Sequence, residues 1–219
     1  MAAIGITGGI STGKTSFTEC LREIFAERTP QLATASSSGG ERGVPASAIF
    51  FDADVAAREL ADRDPEVRGL IEKEFGESVY SSGDLNREAI RTIVFADAEK
   101  KRALEQILHP RIRRQWSLEA EGHRNSTELF FADIPLLYET GGETLCDKVV
   151  VVACSPRLQL ERLMARTGLG RAEAQSMIDA QMPLTEKIGR ADHLVWNNGG
   201  REVLKEQARL LVKFWERAG

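Results

Sequence analysis

Residues Gly8-Gly9-Ile10-Ser11-Thr12-Gly13-Lys14-Thr15 have the spacing G-x-x-x-x-G-K-[ST]. A run of this kind can hold a chain of phosphates. Its glycines let the backbone come close to phosphate oxygens, and successive N–H groups then converge on the anion. A helix that follows adds its positive N-terminal end. Lys14 would reach the β- and γ-phosphates of a nucleotide such as ATP, and the Thr15 hydroxyl would ligate Mg²⁺. Gly9, Ser11, Thr12, Gly13 and Ser16 would complete the cradle with backbone and hydroxyl donors.

Phosphoryl transfer also needs carboxylates, one to position Mg²⁺ and one to accept or orient the proton of an attacking hydroxyl. Asp52, Asp54 and Asp133 each stand just after a short apolar run, Ala48-Ile49-Phe50-Phe51 for the first two and Leu129-Phe130-Phe131-Ala132 for the third. Asp54 is the expected catalytic carboxylate with Asp52 beside it, although either can instead cap the helix that begins at Val55. Asp133 either assists Mg²⁺ or bonds to nearby backbone. Arg157, Arg162, Arg166 and Arg171 lie in one stretch, and Arg162 and Arg166, four apart, share a helix face. Arginines on a mobile helical segment can close over phosphates, exclude water and stabilise charge on the group in transit. The alternative is a solvated basic face. His109, just before Pro110, is open to packing or capping as well as to a role in the site. Asn197-Asn198-Gly199-Gly200 reads as a turn whose groups can also meet a purine edge.

These residues need elements to position them. Ala2 to Ile6 is a short apolar run, and Ser16 to Arg28 carries Phe17, Leu21, Ile24 and Phe25 on one helical face. Thr29-Pro30 is expected to end that helix, and residues 29–48 read as a surface excursion. Further strands are expected at 48–51, 129–132, 148–153 and 193–196. Helices are expected from Val55, in pieces over 64–108, over 100–121 with a kink or break near His109, and at 156–166, 171–181 and 201–218. Short continuous apolar runs alternating with helices indicate a parallel sheet covered on both faces, with ligands beyond the C-terminal strand ends. The fold class is therefore α/β, a three-layer phosphate-loop NTPase arrangement with a central parallel sheet of about five strands. The helix-only block near residues 63–125 contributes no strand and adds an insertion, or a cap over one end of the sheet, and the arginine stretch reads as a helical lid.

The chain has 219 residues, 29 Lys+Arg against 33 Asp+Glu, and a formal net charge of −4, which gives no general electrostatic claim on nucleic acid or an anionic membrane. Three widely spaced cysteines, Cys20, Cys146 and Cys154, suggest no disulfide framework or zinc site. No apolar run approaches a membrane span, and residues 1–9 do not read as a secretory signal. A cytoplasmic protein with a small-molecule substrate and no obligate protein partner is expected.

Taken in order, further segments point to one family. Ile6-Thr7-Gly8-Gly9-Ile10 precedes Gly13-Lys14-Thr15, and Asp52-Ala53-Asp54 is followed by Ala57-Arg58. Then come His109-Pro110-Arg111-Ile112, Asp133-Ile134-Pro135-Leu136-Leu137-Tyr138-Glu139, Gln159 to Arg166, Gln181-Met182-Pro183, Lys187, Ala191-Asp192 and Asn197-Asn198-Gly199. The ordered set, spanning nearly the whole chain, resembles the dephospho-CoA kinases. The resemblance implies transfer of the γ-phosphate of ATP to the ribose 3′-hydroxyl of dephospho-CoA, giving coenzyme A and ADP. It implies a nucleotide-binding core over 1–62, 126–156 and 190–219, a helical acceptor domain over 63–125 and a lid over 157–189. It makes Asp54 the base or hydroxyl-orienting residue, with Asp52 beside it and Lys14 and Arg162 stabilising the phosphoryl in transit. Thr7, Arg58, His109, Pro135 and Leu136 would meet the acceptor, and Asn198 the nucleotide. Two features depart from the family. Ser11 stands where the family usually has glycine, a strained choice if that position needs φ > 0, and the excursion at 29–48 is longer than usual.

Other readings use the same loop. A nucleoside or nucleotide kinase would share Gly8 to Thr15 and the arginine stretch without the other elements together. A nucleotide-dependent switch would want a guanine-selecting Asn-Lys-x-Asp, absent from the sequence. A catalytically silent nucleotide-binding module is disfavoured by the presence of Lys14, Thr15, Asp54 and Arg162.

Overall fold

The structure is a computed structural model that describes residues 3–35, 47–81, 83–123, 126 and 128–218. The chain divides into two compact units, one of residues 1–51 and 120–219 and one of residues 52–119.

Five strands make a single parallel sheet: β1 (Ala3–Gly8), β2 (Ala48–Asp52), β3 (Leu129–Asp133), β4 (Lys148–Ala153) and β5 (His193–Trp196), in the order β2-β3-β1-β4-β5. Every residue of β1 and β3, and Val149–Ala153 of β4, is buried, as central strands covered on both faces must be. Ile6 pairs with Asp133, Gly8 with Val152 and Ala153 with Trp196, so the C-terminal ends of four strands open on one edge of the sheet. The chain leaves β1 toward β2 on one side, and only after β3 does it cross to β4 on the other. This reversal beside β1 is where open α/β sheets bind ligands.

Helix α1 (Lys14–Ala35) follows β1 and packs Phe17, Leu21 and Ile24 on the sheet, together with Leu204, Ala208 and Val212 of the last helix, α9 (Arg201–Ala218). Phe131 is the hub of an aromatic cluster, 5.1 Å from Phe50, 5.9 Å from Phe25 and 5.6 Å from Trp215. One expectation needs correction. Helix α1 does not stop at Thr29-Pro30 but runs on to Ala35. Proline disfavours a helix interior through one lost backbone bond and a ring contact with the carbonyl four residues earlier, a local cost that does not end this helix. Residues 36–46 of the expected excursion lie outside the described residues.

The second unit is helical: α2 (Ala53–Arg63), α3 (Pro65–Phe75), a 3-10 turn at Glu77–Tyr80, α4 (Arg87–Ala96) and most of α5 (Ala98–Gly122). Val67, Ile71, Val79 and Ile90 form its own core, and the Tyr80 hydroxyl donates to the Ala61 carbonyl at 2.7 Å. Of the kink or break expected near His109, there is no break: helix α5 passes through Pro110. The Arg111 guanidinium donates to the Ile107 carbonyl at 2.9 Å and pairs with Glu66 on α3, which secures the turn around the proline.

The 157–189 segment lies in the first unit. It contains α6 (Pro156–Thr167), α7 (Arg171–Asp179) and a short helix that periodicity did not reveal, α8 (Leu184–Arg190). Cys20, Cys146 and Cys154 are free thiols. Trp116 and Trp215 are buried and Trp196 is exposed at the sheet edge.

Candidate active site

Between the end of β1 at Gly8 and the start of α1 at Lys14 the chain makes a tight loop. The N–H and the hydroxyl of Thr12 both donate to the Gly9 carbonyl, at 3.3 and 2.9 Å, and the Gly13 carbonyl accepts from Phe17 N at 3.0 Å. Two of its residues have positive φ, Ser11 at 59° and Gly13 at 95°. A loop that turns its N–H groups toward an anion turns carbonyls away from it, and those carbonyls need partners. Three alternate ones have them. The Gly8 carbonyl accepts from Lys187 Nζ (3.3 Å), the Ile10 carbonyl from Gln159 Nε2 (2.9 Å), and the Thr12 carbonyl from Asn197 Nδ2 (2.9 Å) and Arg162 Nη1 (3.4 Å). Close packing explains the glycines. A Cβ at Gly8 would lie 2.3 Å from the Val152 carbonyl oxygen, and one at Gly13 would lie 2.0 Å from Asn197 Nδ2.

Gly13→Ala therefore faces both an unsuitable φ and a clash with a buried amide. Strain of about 2 kcal/mol corresponds to roughly a 30-fold loss of ATP affinity in calorimetric titration. An affinity within threefold of wild type would show that the loop yields at this point.

Lys14 Nζ is paired with Asp133 Oδ1, and Asp133 Oδ2 accepts from Thr18 Oγ1 at 2.9 Å. Thr15 is exposed in the first turn of α1 and Ser16 is half-buried beside it. One hydroxyl and one carboxylate form a donor set that suits Mg²⁺ held mainly by phosphates and water, so Thr15 and Asp133 fit that ion. Arg162 on α6 also donates to the Asn197 carbonyl at 3.1 Å, which ties it to the end of β5 as well as to the loop. Burial pushes the nearby Cys154 thiol up, and the Arg162 guanidinium opposes that shift. Arg157 instead pairs with Glu161 at the surface.

The structure thus gathers Gly9, Ser11, Thr12, Gly13, Lys14, Thr15, Ser16, Asp133 and Arg162 around one loop. Thr7 is fully buried, and its hydroxyl donates to the Pro135 carbonyl at 3.0 Å. Pro135 and Leu136 are half-buried in the turn after β3. Asn198 is exposed, and its side chain accepts from Ser155 N at 2.8 Å.

The second unit holds the other expected residues. Asp52 caps α2, accepting on Oδ1 from Asp54 N (2.9 Å) and Val55 N (3.0 Å). Asp54 is exposed in the first turn of that helix, with Arg58 exposed one turn further on. His109 is half-buried, and burial lowers its pKa against the opposing pull of Glu105. With Arg102, Glu105, Gln106 and Pro110 it lines an open concavity along α5.

Residue types and spacing gave Gln159, Gln181, Lys187 and Asn197 no part in building the loop. Lys187 is the least expected. It is fully buried, and its three donors meet the Gly8 carbonyl, the Pro135 carbonyl (3.1 Å) and Glu139 Oε1 (2.8 Å). The only available signal was a lysine within a short segment of the family-like order.

A family model described as dephospho-CoA kinase matches residues 33–202. A dephospho-CoA kinase of Anaeromyxobacter dehalogenans is 40% identical over 218 residues, covering 97% of this chain and 91% of the relative. One from Bacillus cereus is 35% identical over 214 residues, covering 97% and 96%. Among solved structures, a dephospho-CoA kinase from Campylobacter jejuni matches with a TM-score of 0.66 at 24% identity, covering 99% of this chain and 98% of the other. At that identity the structural likeness bears on the fold alone.

Proposed function

The chain belongs to the dephospho-CoA kinase family, and from that premise we propose how its residues divide the transfer of the γ-phosphoryl group of ATP to the ribose 3′-hydroxyl of dephospho-CoA. The observation that carries the reading is the phosphate loop, with three outward carbonyls held from behind and with Lys14 and Arg162 at its rim.

The loop, from Gly9 to Ser16, binds the nucleotide's phosphates through backbone N–H groups and hydroxyls, and Asn198 lies toward the base. Asp54 takes the proton of the 3′-hydroxyl as its oxygen bonds to the γ-phosphorus. The bond from that phosphorus to the β–γ bridging oxygen breaks, and the electron pair leaves with ADP. Lys14 and Arg162 stabilise negative charge on the phosphoryl oxygens. Thr15 and Asp133 would hold Mg²⁺, which when bound neutralises charge on the β- and γ-oxygens. Asp52 fixes the turn that carries Asp54. Residues 63–125 receive the acceptor, with Arg58 and His109 toward it, and Thr7 steadies the Pro135-Leu136 turn. The 157–189 segment serves as the lid that keeps water from the γ-phosphate. The proposed location is the cytoplasm, which three free thiols support. Among the described residues no helix is long and apolar enough to cross a membrane.

The test is ADP release from ATP and Mg²⁺ with and without dephospho-CoA, with coenzyme A followed by mass spectrometry. ADP and coenzyme A are expected in equal amounts, with little ADP when the acceptor is left out. ADP release indifferent to dephospho-CoA would overturn the reading.

A further inference from the structure

Ser11 is the one described non-glycine residue with positive φ, at 59°, where an L side chain crowds the backbone and glycine does not. Its own hydroxyl does not compensate, since Oγ is buried with no hydrogen-bond partner. The left-handed geometry must therefore be held by something else. Its φ depends on the orientation of the peptide between Ile10 and Ser11. Rotating that peptide, with opposite changes at ψ of Ile10 and φ of Ser11, would return Ser11 to the ordinary region and re-aim the loop.

One glutamine opposes that rotation, and a second fixes the peptide before it. Gln159 Nε2 donates to the Ile10 carbonyl at 2.9 Å, and Gln181 Oε1 accepts from the Ile10 N–H at 3.0 Å. Gln159 is 4% exposed and presses so closely on the loop that a Cβ at Gly9 would lie 2.6 Å from its Nε2. Rotating the 10–11 peptide would pull the Ile10 carbonyl away from the buried Gln159 amide and cost both partners that bond, while the Ile10 N–H, part of the 9–10 peptide, would keep Gln181. We propose that Gln159 is a positioning residue. It holds the Ile10 carbonyl, keeps Ser11 left-handed, and so keeps the loop's donors aimed at the polyphosphate of a nucleoside di- or triphosphate. The inference rests on the reading of this loop as the nucleotide site. It has a consequence that ordinary packing lacks: the clamp matters because residue 11 is serine, and a glycine there would need it much less.

The test is a double-mutant cycle of Gln159→Leu and Ser11→Gly, read as ADP affinity by calorimetric titration without acceptor, with ATP KM and kcat measured alongside. Gln159→Leu is expected to weaken ADP binding about tenfold when residue 11 is serine and by less than threefold in the Ser11→Gly background, with KM for ATP moving more than kcat. Equal losses in both backgrounds would overturn the proposal, because a purely structural role for Gln159 costs the same in each. If Gln159→Leu does not keep the wild-type circular dichroism, Gln159→Met, closer in shape and equally unable to donate, is taken through the same cycle, and its coupling to residue 11 decides. Wild type that binds ADP but ignores dephospho-CoA would count against the assigned reaction and leave the cycle readable.

Discussion

Asp54→Asn is expected to lower acceptor-dependent ADP formation by about 10²- to 10⁴-fold, the usual worth of a positioned general base. ATP affinity should stay within about threefold. The substitution keeps shape and hydrogen-bonding reach but removes the group that can take the hydroxyl proton. Its neighbour provides the control. Asp52 accepts two backbone amides on Oδ1 as the cap of α2, and asparagine caps a helix about as well as aspartate. Asp52→Asn should therefore preserve the turn and cost far less than the change at Asp54. Steady-state rates for the two variants, with ATP affinity measured separately, separate the roles. Activity that survives at Asp54→Asn and collapses at Asp52→Asn would move the base to Asp52 and leave the cap as its by-product.

The sequence was most informative where local chemistry decides structure. Lys148–Ala153 and His193–Trp196 are strands and Arg201–Ala218 a helix within the bounds their patterns predict, because short apolar runs and a long amphipathic period leave few alternatives. The phosphate loop was legible for the same reason, and so was the question posed by Ser11, which the φ of 59° answers. What could not be read is what reaches the loop from far along the chain. Gln159 and Ile10 are 149 residues apart, Lys187 and Gly8 179, and Asn197 and Thr12 185. A glutamine, lysine or asparagine that satisfies a backbone carbonyl carries no local pattern. Helix α8 was missed because seven residues hold too few turns to show a period. The continuation through Pro30 is not legible locally, because the lost bond and ring clash at a proline are local costs whereas the length of a helix is decided by the whole element.

Lys187→Met should be the most destabilising of the changes considered, at about 3–5 kcal/mol. Methionine matches much of the volume, so the loss is electrostatic and not a cavity. The ammonium is fully buried and spends its donors on the Gly8 carbonyl, the Pro135 carbonyl and Glu139. Without it two carbonyls lose a donor, at about 1–3 kcal/mol for each one left unsatisfied. Glu139 keeps the Met182 N–H at 3.2 Å, and its side chain is 22% exposed, so water can take up part of its charge and hold the total within that range. For a chain of this size the melting temperature should fall by about 6–20 °C. Replacing Glu139 by methionine as well should recover only part of the loss, because the Gly8 carbonyl still lacks that donor and the Pro135 carbonyl keeps only the Thr7 hydroxyl. A fall of less than 2 °C would mean that water substitutes for the ammonium at the base of the loop. Destabilisation and function are linked through Gly8, which ends β1 and opens the phosphate loop. A nucleotide stabilises a fold in proportion to how well the folded state binds it. At equal ADP concentration the variant should therefore gain fewer degrees than wild type, whereas an equal gain would confine the role of Lys187 to stability and leave the aim of the loop to its other clamps.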